Sequence, residues 1–249
     1  MGDARAERLR TAAGHLTAAG PEAHTTVRCF GGLAASVRSV PLDLTELRPR
    51  ARSVLGLLAV NAGRPVHREV LAAALWPDLP GDDVWARIHV AVSGVRRAFA
   101  TAGARGVVTR HGDGYVLASD VDVRRFDELA ATAARARGGP DERPLLAEVA
   151  ASYAGDLLPE AGPAEWVVHE RYHRRSLASD ACERLAALAL AAGDGSAAVA
   201  AARRGLRVDP YRDGLWQALI AGLRACGHRV ALARARDEYS VLLAEAERR

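Results

Sequence analysis

Residues 82–99 read DDVWARIHVAVSGVRRAF, and their spacing decides what the neighbouring segments must do. Val84, Ile88, Val92, Val95 and Phe99 are separated by 4, 4, 3 and 4 positions. At about 100° per residue they fall on one face of an α-helix. Asp82 and Asp83 put carboxylates where a helix start leaves free N–H groups and a positive dipole end, so the helix is predicted to begin there. Ala102-Gly103 ends it. With Ile88 turned to the core, Ala86, Val90, Ser93 and Arg97 point most directly outward. Arg87 and Gly94 flank them on one side, His89 and Arg96 on the other. A greasy inner face backed by arginines and small residues suits a helix laid against a polyanion.

Upstream, Val54, Leu57 and Leu58 form a helical stripe that stops at Asn61-Ala62-Gly63 and Pro65. Val70, Leu71, Ala74 and Leu75 form the stripe of a second short helix, ended by Trp76-Pro77. The loop Pro77-Asp78-Leu79-Pro80-Gly81 cannot be helical. Before these helices, Val27–Phe30 reads as a short strand broken by Gly31-Gly32. Leu33–Val40 and Leu42–Leu44 continue the β-like alternation around Pro41. Downstream, Val107–Arg110, the turn His111–Gly114 and Tyr115–Leu117 read as a β-hairpin. The order is sheet, three helices, hairpin. Residues 1–25 are Ala-rich, end near Pro21 and read as a frayed or weakly helical extension.

Beyond Asp120 every segment has helical spacing: Phe126, Leu129 and Ala133; then Leu145, Leu146, Val149 and Tyr153; then a long run from about Ala164 to Ala192. Gly193 and Gly227 lie 34 positions apart, each closing a helix after a pair of small residues. In that register Leu185 matches Leu219 and Ala186 matches Ile220. A 34-residue period of paired helices is the signature of tetratricopeptide repeats.

Charge separates the two halves. Residues 26–120 hold 12 Arg against 8 acidic residues, while residues 121–249 hold 19 of each, so the +4 excess sits in the first half. A local surplus of arginine fits a nucleic-acid partner. All 34 basic residues are Arg, which with the Ala and Gly content reflects a GC-rich genome. The odd, scattered Cys29, Cys182 and Cys226 argue against disulfides and against a cysteine zinc site. No uncharged apolar run reaches membrane-spanning length, and charges interrupt the N-terminus where a signal peptide would be apolar, so a cytoplasmic location without a membrane is expected.

His169-Glu170-Arg171-Tyr172-His173 spells the H-E-x-x-H of zinc hydrolases. The third ligand is missing, since Ser176 and Ser179 stand where the extended motif has Gly and His, and Arg171, Arg174 and Arg175 would crowd a cation with like charge. No Gly-x-Ser-x-Gly, phosphate loop or paired-carboxylate arrangement occurs either. No enzyme activity, metal or cofactor is expected.

SVLGLLAVNAGRPVHREVLAAALWPD (53–78), RIHVAVSGVRRAF (87–99) and VVTRHGDGYVLASDVDVRRFDEL (107–129) together resemble the antibiotic regulatory protein (SARP-type) family of actinobacterial activators. The resemblance runs from about Val27 to Leu243. It implies an α+β winged helix-turn-helix of the OmpR type over 26–119, followed at 120–249 by an all-α, tetratricopeptide-like bacterial transcriptional activation domain. It implies a sequence-specific activator that binds double-stranded promoter DNA as a homodimer, recruits RNA polymerase through its sigma or alpha subunit, and controls an antibiotic biosynthesis cluster. A repressor of the same architecture and a helical scaffold without DNA binding remain alternatives, and a small-molecule ligand is open. On this reading Arg87 and Arg97 are candidates for guanine edges and Val90 for a thymine methyl. His89, Ser93 and Arg96 would contact bases or phosphates. Arg110 belongs to the wing, and Arg50, Arg52 and Arg68 approach the backbone. Pro77, Asp78, Leu79, Pro80 and Gly81 are candidate polymerase contacts. Gly94 departs from the family, which usually has a larger polar residue there, and no Walker-A sequence occurs, so regulation by a nucleotide module of its own is not expected.

Overall fold

The computed structural model describes residues 23–246 and 248. The extension expected at 1–25 lies outside the described residues except for its last three. Of these, Ala23 is buried and Thr25 opens the first strand. The chain forms two compact units, one from residues 23–27 and 34–120, the other from 28–33 and 121–248.

In the first unit, β1 (Thr25–Arg28), β2 (Ala34–Val37) and β3 (Val40–Leu42) precede α1 (Pro49–Val60), β4 (Val66–His67), α2 (Arg68–Leu75) and α3 (Gly81–Thr101). β5 (Val108–His111), β6 (Gly114–Leu117) and β7 (Asp120–Val121) follow. One sheet has the order β3-β2-β1-β7 and the other β4-β6-β5. The expected alternation through Val40 is interrupted earlier than Pro41. Arg38 and Ser39, at φ 49° and 67°, make a two-residue reversal that pairs Val37 with Val40. A type I′ turn needs positive φ at both central residues, and Arg-Ser carries none of the Asn-Gly chemistry that marks such turns. Pro41 sits opposite Ser36 on the edge strand β3, where its missing N–H costs no ladder bond.

The three helices bury the stripes that spacing predicts, with two differences. Val70 is 53% exposed. In a helix of only two turns Leu71 and Leu75, four apart, take the inner face, and their neighbour Val70 turns outward. α3 begins at Gly81, one residue earlier than Asp82, with Pro80 at its cap. The Pro80 carbonyl accepts from Val84 N at 3.2 Å, and the proline fixes the approach of the chain.

The second unit contains α4 (Asp122–Arg135), α5 (Glu142–Ser152), a 3-10 turn at Pro159–Ala161, α6 (Glu165–Ala191), α7 (Gly195–Val208), α8 (Asp213–Ala225) and α9 (Arg229–Ala246). Gly193 and Gly227 both take positive φ, 76° and 71°, each just past a helix end. The 34-residue period is thus a repeated helix-turn-helix. Ala186, Val199, Ala202, Trp216, Leu219 and Leu223 form its buried centre. Trp216 also donates from Nε1 to the Pro210 carbonyl at 2.8 Å and stacks on Tyr239, with ring centroids 5.8 Å apart.

Residues 28–33, expected within the winged-helix segment and partly as strand, belong to this helical unit. The Cys29 and Phe30 N–H groups donate to the Asp122 carboxylate at 2.9–3.0 Å. Burial pushes that carboxyl's pKa up, against the backbone N–H bonds that favour its charged form. Leu33 N donates to Glu160 at 2.7 Å. The Phe30 ring meets Phe126 edge-on at 5.2 Å and Tyr153 at 5.1 Å. An aromatic cluster and a carboxylate satisfying two amides outweigh the β propensity of Cys29-Phe30, so the strand ends at Arg28. All three cysteines are free, and burial pushes the Cys182 thiol up to about 11, far from thiolate chemistry at neutral pH.

Glu142 is buried and accepts from Arg184 at 2.7 and 3.0 Å and from Gly138 N at 2.9 Å. These bonds hold its carboxyl at about 2, below the ordinary 4.5. The stabilisation it contributes is therefore complete above about pH 4.5 and lost as pH falls toward 2. Glu142→Gln is expected to lower the melting temperature at pH 7, and the gap to the wild type to close between pH 4.5 and pH 2. Melts followed by circular dichroism check this, and a gap that stays constant over that range would assign the loss to packing instead.

Candidate nucleic-acid interface

Burial of one stripe sets the rotation of α3. Val84, Ile88, Val92, Val95 and Phe99 are all at 2% exposure or less. Each such side chain is worth roughly 1.5–3 kcal/mol. The opposite face is then fixed: Ala86, Arg87, His89, Val90 and Arg97 are exposed, while Ser93, Gly94 and Arg96 are half-buried. Val90 is 56% exposed, an apolar side chain turned to solvent. Arg87 and Arg97 are ten residues apart, about 15 Å along the axis, so they cannot serve the same base pair.

The arginines divide into free and committed. None of the ion pairs among the described residues uses Arg50, Arg52, Arg87 or Arg97. Arg50 has its guanidinium 5.8 Å from the Trp76 ring. Arg96 is committed: its Nε donates to the Val108 carbonyl at 2.8 Å, and its guanidinium lies 5.9 Å from the Tyr115 ring. It ties α3 to the β5–β6 hairpin. Gly94, which spacing places at the rim of the outward face, looks instead toward α1, where an added Cβ would stand 3.7 Å from the Ala51 methyl.

The hairpin forms a second arm. β5 and β6 pair Val108 with Leu117 through His111 with Gly114. Gly114 is required by a close approach, since a Cβ there would lie 2.6 Å from the Val66 carbonyl oxygen of β4. Arg110 donates from Nε to the Gly112 carbonyl at 3.0 Å and reaches Asp113 Oδ1 at 3.5 Å. Arg68, the first residue of α2, stacks over Trp85 at 4.6 Å and lies 4.0 Å from the same Asp113 oxygen. Between α2, α3 and the hairpin is a cleft of about 170 Å³ bordered by Arg68, Trp85, His89, Arg110, Asp113 and Tyr115. Sequence spacing did not single out Trp85, Asp113 or Tyr115, because their roles lie in pairings across elements rather than in a repeat along one. In the loop before α3, Pro77, Asp78 and Pro80 are exposed, Leu79 is half-buried, and Gly81 is the first helical residue.

The H-E-x-x-H segment has other work. Arg171 donates to the carbonyls of Leu157, Leu158 and Gly162 at 2.9–3.0 Å. Buried Arg174 pairs with Asp127 at 2.8 Å and with Glu170 itself. His169 and His173 are exposed. Among the described residues no three His, Cys, Asp or Glu side chains come together as metal ligands, and no helix is long and apolar enough to cross a membrane.

Two family models match the chain. Residues 43–117 match "Transcriptional regulatory protein, C terminal", and residues 121–246 match "Bacterial transcriptional activator domain". The transcriptional regulatory protein EmbR of Mycobacterium tuberculosis is 30% identical over 183 residues, 69% of this chain and 46% of that protein. The transcriptional regulatory protein MoaR1 of the same species is 23% identical over 202 residues, 78% of this chain and 64% of that one. The chain thus spans about half to two thirds of the length of these curated relatives. A solved structure of M. tuberculosis EmbR in complex with a low-affinity phosphopeptide superposes with a TM-score of 0.70 at 25% identity, covering 90% of this chain and 61% of that one.

Gly94 and Gly114 make opposite predictions. Gly94→Ala adds a methyl at an ordinary contact distance in mid-helix, so it is expected to stabilise the protein by about 1 kcal/mol. Gly114→Ala drives a methyl into a backbone carbonyl, so it is expected to cost roughly 1–3 kcal/mol. Urea unfolding of both variants against the wild type checks the pair, and a loss at Gly94 would mean that α1 and α3 cannot admit the methyl.

Proposed function

Since the chain belongs to the antibiotic regulatory protein family, with an OmpR-type domain ahead of a bacterial transcriptional activator domain, we propose that it is a sequence-specific activator of transcription that binds duplex promoter DNA. The observation that carries this reading is the outward face of α3. Arg87, His89, Val90 and Arg97 are exposed there beside an apolar stripe that cannot turn away. A major groove about 12 Å wide admits such a helix. Arg87 and Arg97 would each take a guanine edge, and Val90 a thymine methyl. His89 and half-buried Ser93 would reach bases or phosphates. Arg50, Arg52 and Arg68 would hold the phosphate backbone, and Arg110 would carry the hairpin toward it. Arg96 acts chiefly by holding the hairpin. With no Asn or Gln on α3 to read adenine in the bidentate way, specificity rests on G·C positions, thymine methyls and DNA shape.

In this proposal the loop Pro77–Gly81 contacts the sigma or alpha subunit of RNA polymerase, and its exposed prolines give a preformed surface. Residues 120–249 supply dimerisation and further protein contacts, residues 26–119 supply DNA binding, and the protein works in the cytoplasm on an antibiotic biosynthesis cluster. In-vitro transcription with purified polymerase separates activation from repression.

Arg87→Ala is expected to weaken binding to fragments selected by the protein by about 1–3 kcal/mol, with much less effect on random-sequence duplex. Fluorescence anisotropy at fixed salt checks this. A loss under about 1 kcal/mol that is equal on both DNAs would remove Arg87 from base reading.

A further inference from the structure

We propose that Asp113, at the turn of the β5–β6 hairpin, stands in for a DNA phosphate between Arg68 and Arg110 and thereby holds down the affinity of this interface for any duplex. This rests on the DNA-binding reading above. One oxygen, Oδ1, lies 3.5 Å from an Arg110 terminal nitrogen and 4.0 Å from one of Arg68. An oxyanion shared by two guanidinium groups is also how arginines hold a phosphodiester.

The surroundings keep this oxygen in place. Arg68 N donates to the Asp113 carbonyl at 2.9 Å, which fastens the turn to the first residue of α2. The Arg68 guanidinium rests on the Trp85 indole, and among the described residues its buried Nε has no hydrogen-bond partner. Arg110 is braced by its bond to the Gly112 carbonyl. Both guanidinium groups are thus tethered beside the turn. The group is open to solvent, with side-chain exposures of 40%, 53% and 67% for Arg68, Asp113 and Arg110, so an outside anion can reach it.

A phosphate arriving here must displace the carboxylate from both arginines and then lie beside its negative charge. That cost is the same for every base sequence, because no base edge is involved. Asp113 therefore sets the strength of backbone binding, while the α3 face chooses the sequence.

The test uses the full chain with Asp113→Asn, which keeps the size and turn preference of the side chain but removes the charge. Binding to a random-sequence duplex and to a fragment selected by the protein is measured by anisotropy from 50 to 200 mM salt. Asp113→Asn is expected to bind both DNAs about three- to tenfold tighter, the yield of one or two exposed ion pairs. The slope of log K against log salt should steepen by about 0.9 for each additional phosphate that the arginines neutralise. Asp113→Glu, with its charge kept, should bind like the wild type, and adding Arg68→Gln to Asp113→Asn should remove part of the increase. A wild type that binds and an Asp113→Asn variant that binds no tighter would overturn this inference alone. A folded wild type that leaves both duplexes unbound would overturn the DNA reading and this inference with it.

Discussion

The rotation of α3 is the constraint on which the first unit depends. A helix with five apolar side chains on one face can be turned in only one way. Rotating it by one residue would lift Ile88 out of the core and press Arg87 or His89 into it. The cost would be the lost burial of the stripe plus several kcal/mol for a cation without a partner. Arg96 adds a second lock, since its bond to the Val108 carbonyl fixes the hairpin relative to the helix. The positions of Arg87, Val90 and Arg97 are thus set by residues that touch no ligand. On the proposed DNA-binding reading, substitutions in the stripe would act on recognition through geometry.

Arginine, the only strong cation in the chain, is used in two ways. In the helical unit many are bound to internal partners. Arg171 satisfies three carbonyls, and Arg174, Arg175, Arg184 and Arg212 all pair with carboxylates. A planar fork with five donors suits such structural duty better than an ammonium would. In the winged-helix unit Arg50, Arg52, Arg87 and Arg97 have no such partner among the described residues. The difference between a unit that holds itself together with arginine and one that offers arginine outward lies in these pairings more than in the count.

Much of the fold was legible because it is written in local periods. The α3 stripe, the helix stops at Asn61-Ala62-Gly63 and Trp76-Pro77, the hairpin around Gly112-Asp113 and the spacing of Gly193 and Gly227 are all signals within a few residues or a fixed repeat. What escaped was non-local. Nothing within Val27–Phe30 announces that its amides will find Asp122, more than 90 positions away. The Arg38-Ser39 reversal was hidden because neither residue advertises positive φ. At the site, the outward face of α3 followed from its spacing. The Arg68–Trp85 stack, the Arg96–Val108 bond and the place of Asp113 did not, since each joins two elements. Spacing puts Gly94 at the rim because helical geometry assigns an angle but not the neighbour that fills it, here Ala51.

The detour of residues 28–33 into the helical unit has a consequence for how the protein is made. Their partners lie between 92 and 127 positions further along. During synthesis at about 5–20 residues per second, Cys29 and Phe30 leave the ribosome roughly 6–25 s before Glu160 does. For roughly 5–19 s of it, until Phe126 emerges, the Phe30 ring lacks the aromatic partner it meets edge-on in the folded unit. The early strands emerge first, yet the loop between them waits for residues of the helical unit. This order of events favours chaperone contact with the nascent chain. It also means that a fragment cut after the hairpin would carry Phe30 permanently uncovered.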